Sequence, residues 1–379
     1  MKAGLAVETE GAVLFRHGYG NEGIVGAGNG YVVAGYVLRG DCVQAGTVPG
    51  KHGREEMQMK KIIFDCDNTF GVKDCDVDDG LALMYLLGSR EAQLLGITST
   101  YGNSSLDVVQ AVNLRMLEEL GRRDIPVKRG GEKRGCYQSE AALFLAEMAD
   151  RHPGELSILA TGSLTNLKGA YERDSHFFEK VKEIVLMGGI TSPLVFEKKV
   201  MEELNFSCDP PAARTVLTKG RNISVITGNN CLKVLFTKQE YRERLSGTEN
   251  RAAAYIMQKT DDWFRYNDEG YGIHGFYNWD VTAAAYLMHP ELFADNVKCL
   301  CVSDQDLETG YLRMEEDGMN GGWKAGIKTG MRGTMRDGTA SRTAGGRCIC
   351  NLPVIRNEAV FKDNIYRSWL SVTGILADV

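Results

Sequence analysis

No stretch of the 379-residue chain approaches the roughly 18 consecutive apolar residues that a membrane-spanning helix needs. The first ten residues lack a basic segment followed by a long apolar run, so no secretory signal is expected. Positive charge is in deficit: 44 Lys and Arg stand against 50 Asp and Glu, a net charge of −6. That balance argues against a surface holding nucleic acid by counterion release. Histidine is scarce, six in all with none close together in sequence, which disfavours a zinc site. Ten cysteines are present, but none has the two-residue spacing of a zinc knuckle. Cys299 and Cys301 share one apparent strand, and Cys348 and Cys350 another. Such scattered thiols read as buried free cysteines in a reducing cytoplasm, which is the expected location.

What remains is an ordinary soluble composition, 43% hydrophobic and 25% charged, long enough for one large domain or two smaller ones. Residues 1–59 read as an N-terminal extension, artefactual or disordered. Gly18 to Gly53 is glycine-rich and carries no sustained helix or strand period. The codons for Gly53-Arg54-Glu55-Glu56 before Met57 can contain a purine-rich ribosome-binding sequence, which suggests an upstream start. A short β-rich appendage is the alternative, since Tyr31 to Leu38 could pair as a strand. Residues 60–379 read as the catalytic domain. Within it, Gly318 to Gly346 is rich in Gly, Thr, Arg and Lys and is expected to be a flexible insertion.

From Lys60 onward, strands and helices alternate. Strand patterns cover Ile62–Phe64, Ala92–Thr100, Ile125–Val127, Leu156–Ala160, Glu183–Met187 and Ile223–Ile226. Helical spacing covers Asp79–Leu87, Leu106–Leu120, Ala141–Ala149, Leu164–Tyr171, Pro211–Leu217 and Ala359–Leu370. The alternation predicts an open, mostly parallel α/β sheet flanked by helices, a Rossmann-like core. Ligands of such sheets sit beyond the carboxyl ends of the strands, and the polar clusters of this chain fall there.

The strongest chemical signal follows the first strand: Asp65, Asp67, Asp74, Asp76, Asp78 and Asp79, six aspartates in fifteen residues. Clustered carboxylates resist joint ionisation unless a cation neutralises them. An all-oxygen set points to a hard ion, calcium or magnesium. The plain alternative is an acidic turn capping a helix. Asp65-Cys66-Asp67-Asn68-Thr69 resembles the opening motif of the haloacid-dehalogenase phosphatases. There Asp65 would be the nucleophile and magnesium the metal. The later acidic pair of that family has no convincing copy.

A broader resemblance runs from about Lys60 to the C-terminus, to the inosine-uridine type nucleoside hydrolases. Asp65 and Asp67, then Asp78 and Asp79, resemble the family's opening Asp-x-Asp and Asp-Asp, with a longer spacer than its common form. Tyr101-Gly102-Asn103, Ala160-Thr161-Gly162-Ser163, Met187-Gly188-Gly189, Glu203-Leu204-Asn205-Phe206 and Asn278-Trp279-Asp280 follow in the family's order. The resemblance implies a Ca²⁺-dependent ribonucleoside hydrolase of nucleoside salvage or catabolism. Asp67, Asp79, Asp280 and the Thr161 carbonyl would hold the metal, and Asp67 would be the general base. Asp78, Asn103, Glu203 and Asn205 would bind ribose. A homo-oligomer with a small-molecule nucleoside as its partner is expected, as is hydrolysis through an oxocarbenium-like state. A non-catalytic nucleoside-binding protein on the same fold is the remaining alternative.

Around the base the chain departs from the family. Trp279 stands where many members place a histidine as proton donor. An indole there suggests stacking on a purine, and His274 is the other candidate acid. Trp263 and Tyr266 are candidates for the same mouth, and Cys208 reads as structural.

Overall fold

The computed structural model describes residues 59–247, 249–315 and 346–376, with three short strands before them. Those strands, Glu8–Thr9, Ala12–Arg16 and Glu22–Gly26, pair antiparallel in a unit spanning Met1–Glu56. The second unit, Met57–Val379, carries the α/β fold. The strand considered over Tyr31–Leu38 lies outside the described residues. So does the insertion expected from Gly318, up to Gly346, which begins a strand.

The second unit opens with β1 (Lys60–Cys66), α1 (Asp78–Gly88), β2 (Ala92–Ser99), α2 (Leu106–Glu119) and β3 (Val127–Arg129). It continues through α3 (Glu140–Arg151), β4 (Leu156–Ala160), α4 (Thr165–Arg173) and β5 (Glu183–Met187). Then come α5 (Pro210–Lys219), β6 (Ile223–Ile226), α6 (Arg251–Tyr271) and α7 (Trp279–Met288). The chain closes with β7 (Val297–Val302), β8 (Arg313–Met314), β9 (Gly346–Asn351) and α8 (Glu358–Leu370). Nine strands form one sheet in the order β8-β7-β9-β6-β5-β4-β1-β2-β3. From β9 to β3 neighbouring strands run parallel, and β7 and β8 add an antiparallel edge.

The central strands are buried on both faces, so they read as continuous apolar runs rather than alternations. Successive residues of β1 divide between two cores: Ile62 and Phe64 pack on one side with α1, α7 and α8, Ile63 on the other with α3, α4 and α5. Each such side chain contributes roughly 1.5–3 kcal/mol on burial. α1 is buried along nine of its residues, because α7 and α8 cover the side that the sheet does not. The Trp369 indole of α8 donates to the Leu81 carbonyl of α1 at 2.9 Å. This burial fixes the N-terminus of α1, which begins with Asp78 and Asp79, at the ends of β1 and β4. Among the described residues no helix is long and apolar enough to cross a membrane.

Candidate active site

Polar residues converge where β1, β2, β4 and β5 end. Asp67, one residue beyond β1, is fully buried. The Asn103 backbone N–H donates to its Oδ2 at 2.6 Å, and the Asn103 amide to its Oδ1 at 3.3 Å. Glycine lets the backbone come this close. A Cβ on Gly102 would stand 1.9 Å from Asp67 Oδ2, and one on Gly162 would stand 3.1 Å from Asp67 Cγ. Asp78 and Asp79 occupy the first turn of α1, where the helix dipole favours negative charge. The Thr161 hydroxyl donates to Asp79 Oδ1 at 2.6 Å, and the backbone N–H of Asp280 to Asp78 Oδ2 at 3.0 Å. Asp280 lies in the first turn of α7. One carboxylate oxygen each from Asp78, Asp79 and Asp280 lie within 4.8 Å of one another.

Burial dominates the electrostatics. It pushes the Asp67 carboxyl up to about 6, against the opposing pull of hydrogen bonds involving Asp79 and Asn103. Burial also raises Asp78, Asp79 and Asp280, and for Asp79 and Asp280 the neighbouring aspartates add to the rise. Among the described residues, Asp79 Oδ2 is buried with no hydrogen-bond partner. An oxygen donor set with an unpartnered carboxylate oxygen is suited to a hard cation, and these carboxylates can hold a metal ion.

A cavity of about 260 Å³ opens above this floor. It is lined by Asp78, Asn103, Thr161, Glu203, Asn205, Trp279 and Asp280, all singled out from the sequence. Asp67 and Asp79 lie buried behind that lining, in contact with Asn103 and Thr161. Asn205 donates to the Met187 carbonyl at 3.0 Å. Glu203 is held by the backbone N–H groups of Gly189, Phe206 and Ser207 at 2.8–3.0 Å. His274 is not brought to the cavity: its ring is 82% exposed and pairs with Asp268 at 2.6 Å. Trp263 and Tyr266 do line it, their rings stacked 5.1 Å apart at 10°.

Asp65 does not suit the role of phosphatase nucleophile. Its buried carboxylate accepts from Thr98 Oγ1 at 2.5 Å and Asn166 Nδ2 at 2.9 Å, and it does not line the cavity. Burial raises it to about 7. Asp74 lines the cavity from an exposed position, its backbone N–H on Asp262 and its carboxylate on Arg265. Sequence reasoning missed Tyr271, Leu194 and Met201, which also line the cavity. The last two belong to strands of two residues, too short to carry a period.

The sequence matches the profile of the inosine-uridine preferring nucleoside hydrolases over residues 62–332. The chain belongs to that family. It is a hydrolase of the N-glycosidic bond of ribonucleosides, and its substrates are small molecules. Uridine nucleosidase 1 of Arabidopsis thaliana is 28% identical over 304 residues, which cover 72% of this chain and 85% of the relative. The pyrimidine-specific ribonucleoside hydrolase RihA of Citrobacter koseri is 28% identical over 260 residues, 61% and 80% of the two chains. Among solved structures, the purine-preferring ribonucleoside hydrolase from Gardnerella vaginalis superposes with a TM-score of 0.66 at 20% identity. That match covers 84% of this chain and all of the other, a likeness of fold.

Proposed function

We propose that this hydrolase is calcium-dependent, with Asp67 as general base, and that it prefers purine ribonucleosides. The carrying observation is the buried carboxylate floor beneath an aromatic-walled cavity. Asp67, Asp79, Asp280 and the Thr161 carbonyl would hold the ion, with Asp78 beside them. Calcium, when bound, would supply charge that lowers the pKa of water and orients it. Asp67 accepts the proton of the attacking water. It is held for this by the backbone and side-chain N–H groups of Asn103. The remaining carboxylates stabilise positive charge developing on the sugar. Asp78, Asn103, Glu203 and Asn205 bind the ribose hydroxyls, and a site built to pair them rejects sugars that lack them. The products are ribose and free base, as nucleoside salvage or catabolism requires.

Next to Asp280 in the cavity lining, Trp279 offers a π-face to the base, backed by Tyr277 at 5.3 Å. Indole cannot protonate a leaving group, and exposed His274 is paired with Asp268, so stacking is the stronger reading. The two relatives and the solved structure carry names for uridine, pyrimidine and purine substrates. Base preference therefore belongs to the wall rather than to the acidic floor. Initial rates of ribose release from inosine, guanosine, uridine and cytidine test the reading. Faster cleavage of uridine than of inosine would contradict the purine preference.

A further inference from the structure

Between Gly189 and Glu203 the chain leaves the sheet as a small hairpin, Leu194–Val195 paired antiparallel with Val200–Met201. Leu194 and Met201 line the cavity, whereas Val195 and Val200 are exposed. Two-stranded hairpins are at best marginally stable alone, so this one depends on its attachments. At its root, Asn229 Oδ1 accepts from the backbone N–H of Thr191 at 2.6 Å, and Asn229 Nδ2 donates to the Ser192 carbonyl at 2.9 Å. At its tip, Phe196 to Lys199 lie against the C-terminal end of α6. Lys198 Nζ donates to the carbonyls of Asp268 at 2.6 Å and Glu269 at 3.2 Å in the last turn of the helix, where the Asp268 carbonyl also accepts from the Gly272 N–H. The Lys199 ammonium sits 3.8 Å from the centre of the Tyr271 ring. Tyr271 meets Phe196 edge-on at 5.9 Å and Tyr266 at 6.3 Å, and Tyr266 stacks on Trp263. The contacts thus run unbroken from the hairpin tip to the aromatic wall. Neither lysine lines the cavity, so both act on the hairpin and the helix end rather than on substrate.

We propose that the hairpin Leu194–Met201 is a flap that closes over the leaving base, with Lys198 and Lys199 as its latch. Its ligand is the heteroaromatic aglycone, and the proposal rests on the nucleoside hydrolase reading of the cavity. The acidic floor holds the sugar, while the flap adds aliphatic contacts facing the aromatic wall. A ligand shifts an opening equilibrium only through contacts that differ between the two states. The base is therefore coupled to the flap, and free ribose is not. Weakening the latch lowers the closed fraction, and apparent affinity falls by that fraction.

Lys199 is a positioning residue, and Lys199→Ala with Lys199→Arg tests it in the calcium-loaded enzyme. Lys199→Ala keeps the wild-type melting temperature and kcat, and raises KM for inosine and uridine by roughly three- to tenfold, the reach of a cation–π contact. The inhibition constant of free ribose stays unchanged, and Lys199→Arg, which keeps the cation, restores KM. An unchanged nucleoside KM in Lys199→Ala, or equal weakening of nucleoside and ribose, overturns the flap. If wild type releases no ribose at all, the hydrolase reading falls instead. The flap is then judged on calorimetric inosine binding by the same three- to tenfold criterion.

Discussion

On the proposed reading Asp67 would serve two functions at once, as a metal ligand beside Asp78 and Asp79 and as the base that accepts a proton. Asp67→Asn keeps the shape of the side chain and removes its charge. Turnover should fall on the order of 10²-fold or more, the usual contribution of a positioned base. Calcium affinity is measured in parallel, so that lost metal and lost base are separated; near-normal kcat in a folded, calcium-loaded variant would contradict the role. Gly102→Ala tests the same carboxylate from outside, because its new methyl group would meet Asp67 Oδ2. It should cut activity and calcium affinity with little change in helix content by circular dichroism, and wild-type calcium binding would count against the packing argument. Trp279→Ala should reduce inosine turnover more than uridine turnover, stacking being worth roughly 1–3 kcal/mol per base. The aspartates were legible in the sequence because six carboxylates in fifteen residues have few purposes. The surface position of His274 was not, since a histidine among aromatic residues reads the same whether it turns inward or pairs outward with Asp268.

Among the elements, those with a full apolar period were found nearly to the residue. β4, β5 and β6 have the expected bounds, and α1 and α3 extend the expected helices by one or two residues at their ends. β3 was misplaced by two residues, because Val127-Lys128-Arg129 carries two charged side chains at the sheet edge. α6, 21 residues long, went unassigned: its buried face of Ala252, Ala253, Ile256, Trp263 and Phe264 keeps helical spacing, but polar Thr260 and Asn267 on that face dilute the apolar signal. Its ends did carry signals, Asn250 as N-cap and Gly272 in the left-handed conformation after the last turn. Asn250 also donates to the Leu370 carbonyl of α8 at 2.8 Å. Asn250→Ala should therefore lower stability by about 1–2 kcal/mol, as loss of a cap does, and leave kcat unchanged. Urea denaturation checks the first part; an unshifted midpoint would show that the cap contributes nothing.

At the scale of the molecule, the buried carboxylates would couple stability to pH and, on the proposed reading, to metal. Asp65 and Asp67 are raised by burial to about 7 and about 6, above their unfolded values near 3.8. A raised acid binds more protons folded than unfolded, so its contribution is present below about pH 4 and lost as pH rises through about 6 to 7. Chelated protein should melt lower at pH 8 than at pH 5, and calcium should restore the melting temperature at pH 8, because a ligand of the native state stabilises it. Equal melting temperatures of chelated protein at the two pH values would contradict this. Deleting residues 1–56 should change neither activity nor melting temperature, since every site residue lies in the unit that begins at Met57. The most direct measurement is reducing-sugar release from inosine and uridine by protein treated with chelator and then reloaded with calcium. The account predicts free ribose from the reloaded enzyme and a loss of at least about 10²-fold after chelation. No ribose from the calcium-loaded protein, or full activity in excess chelator, would contradict it.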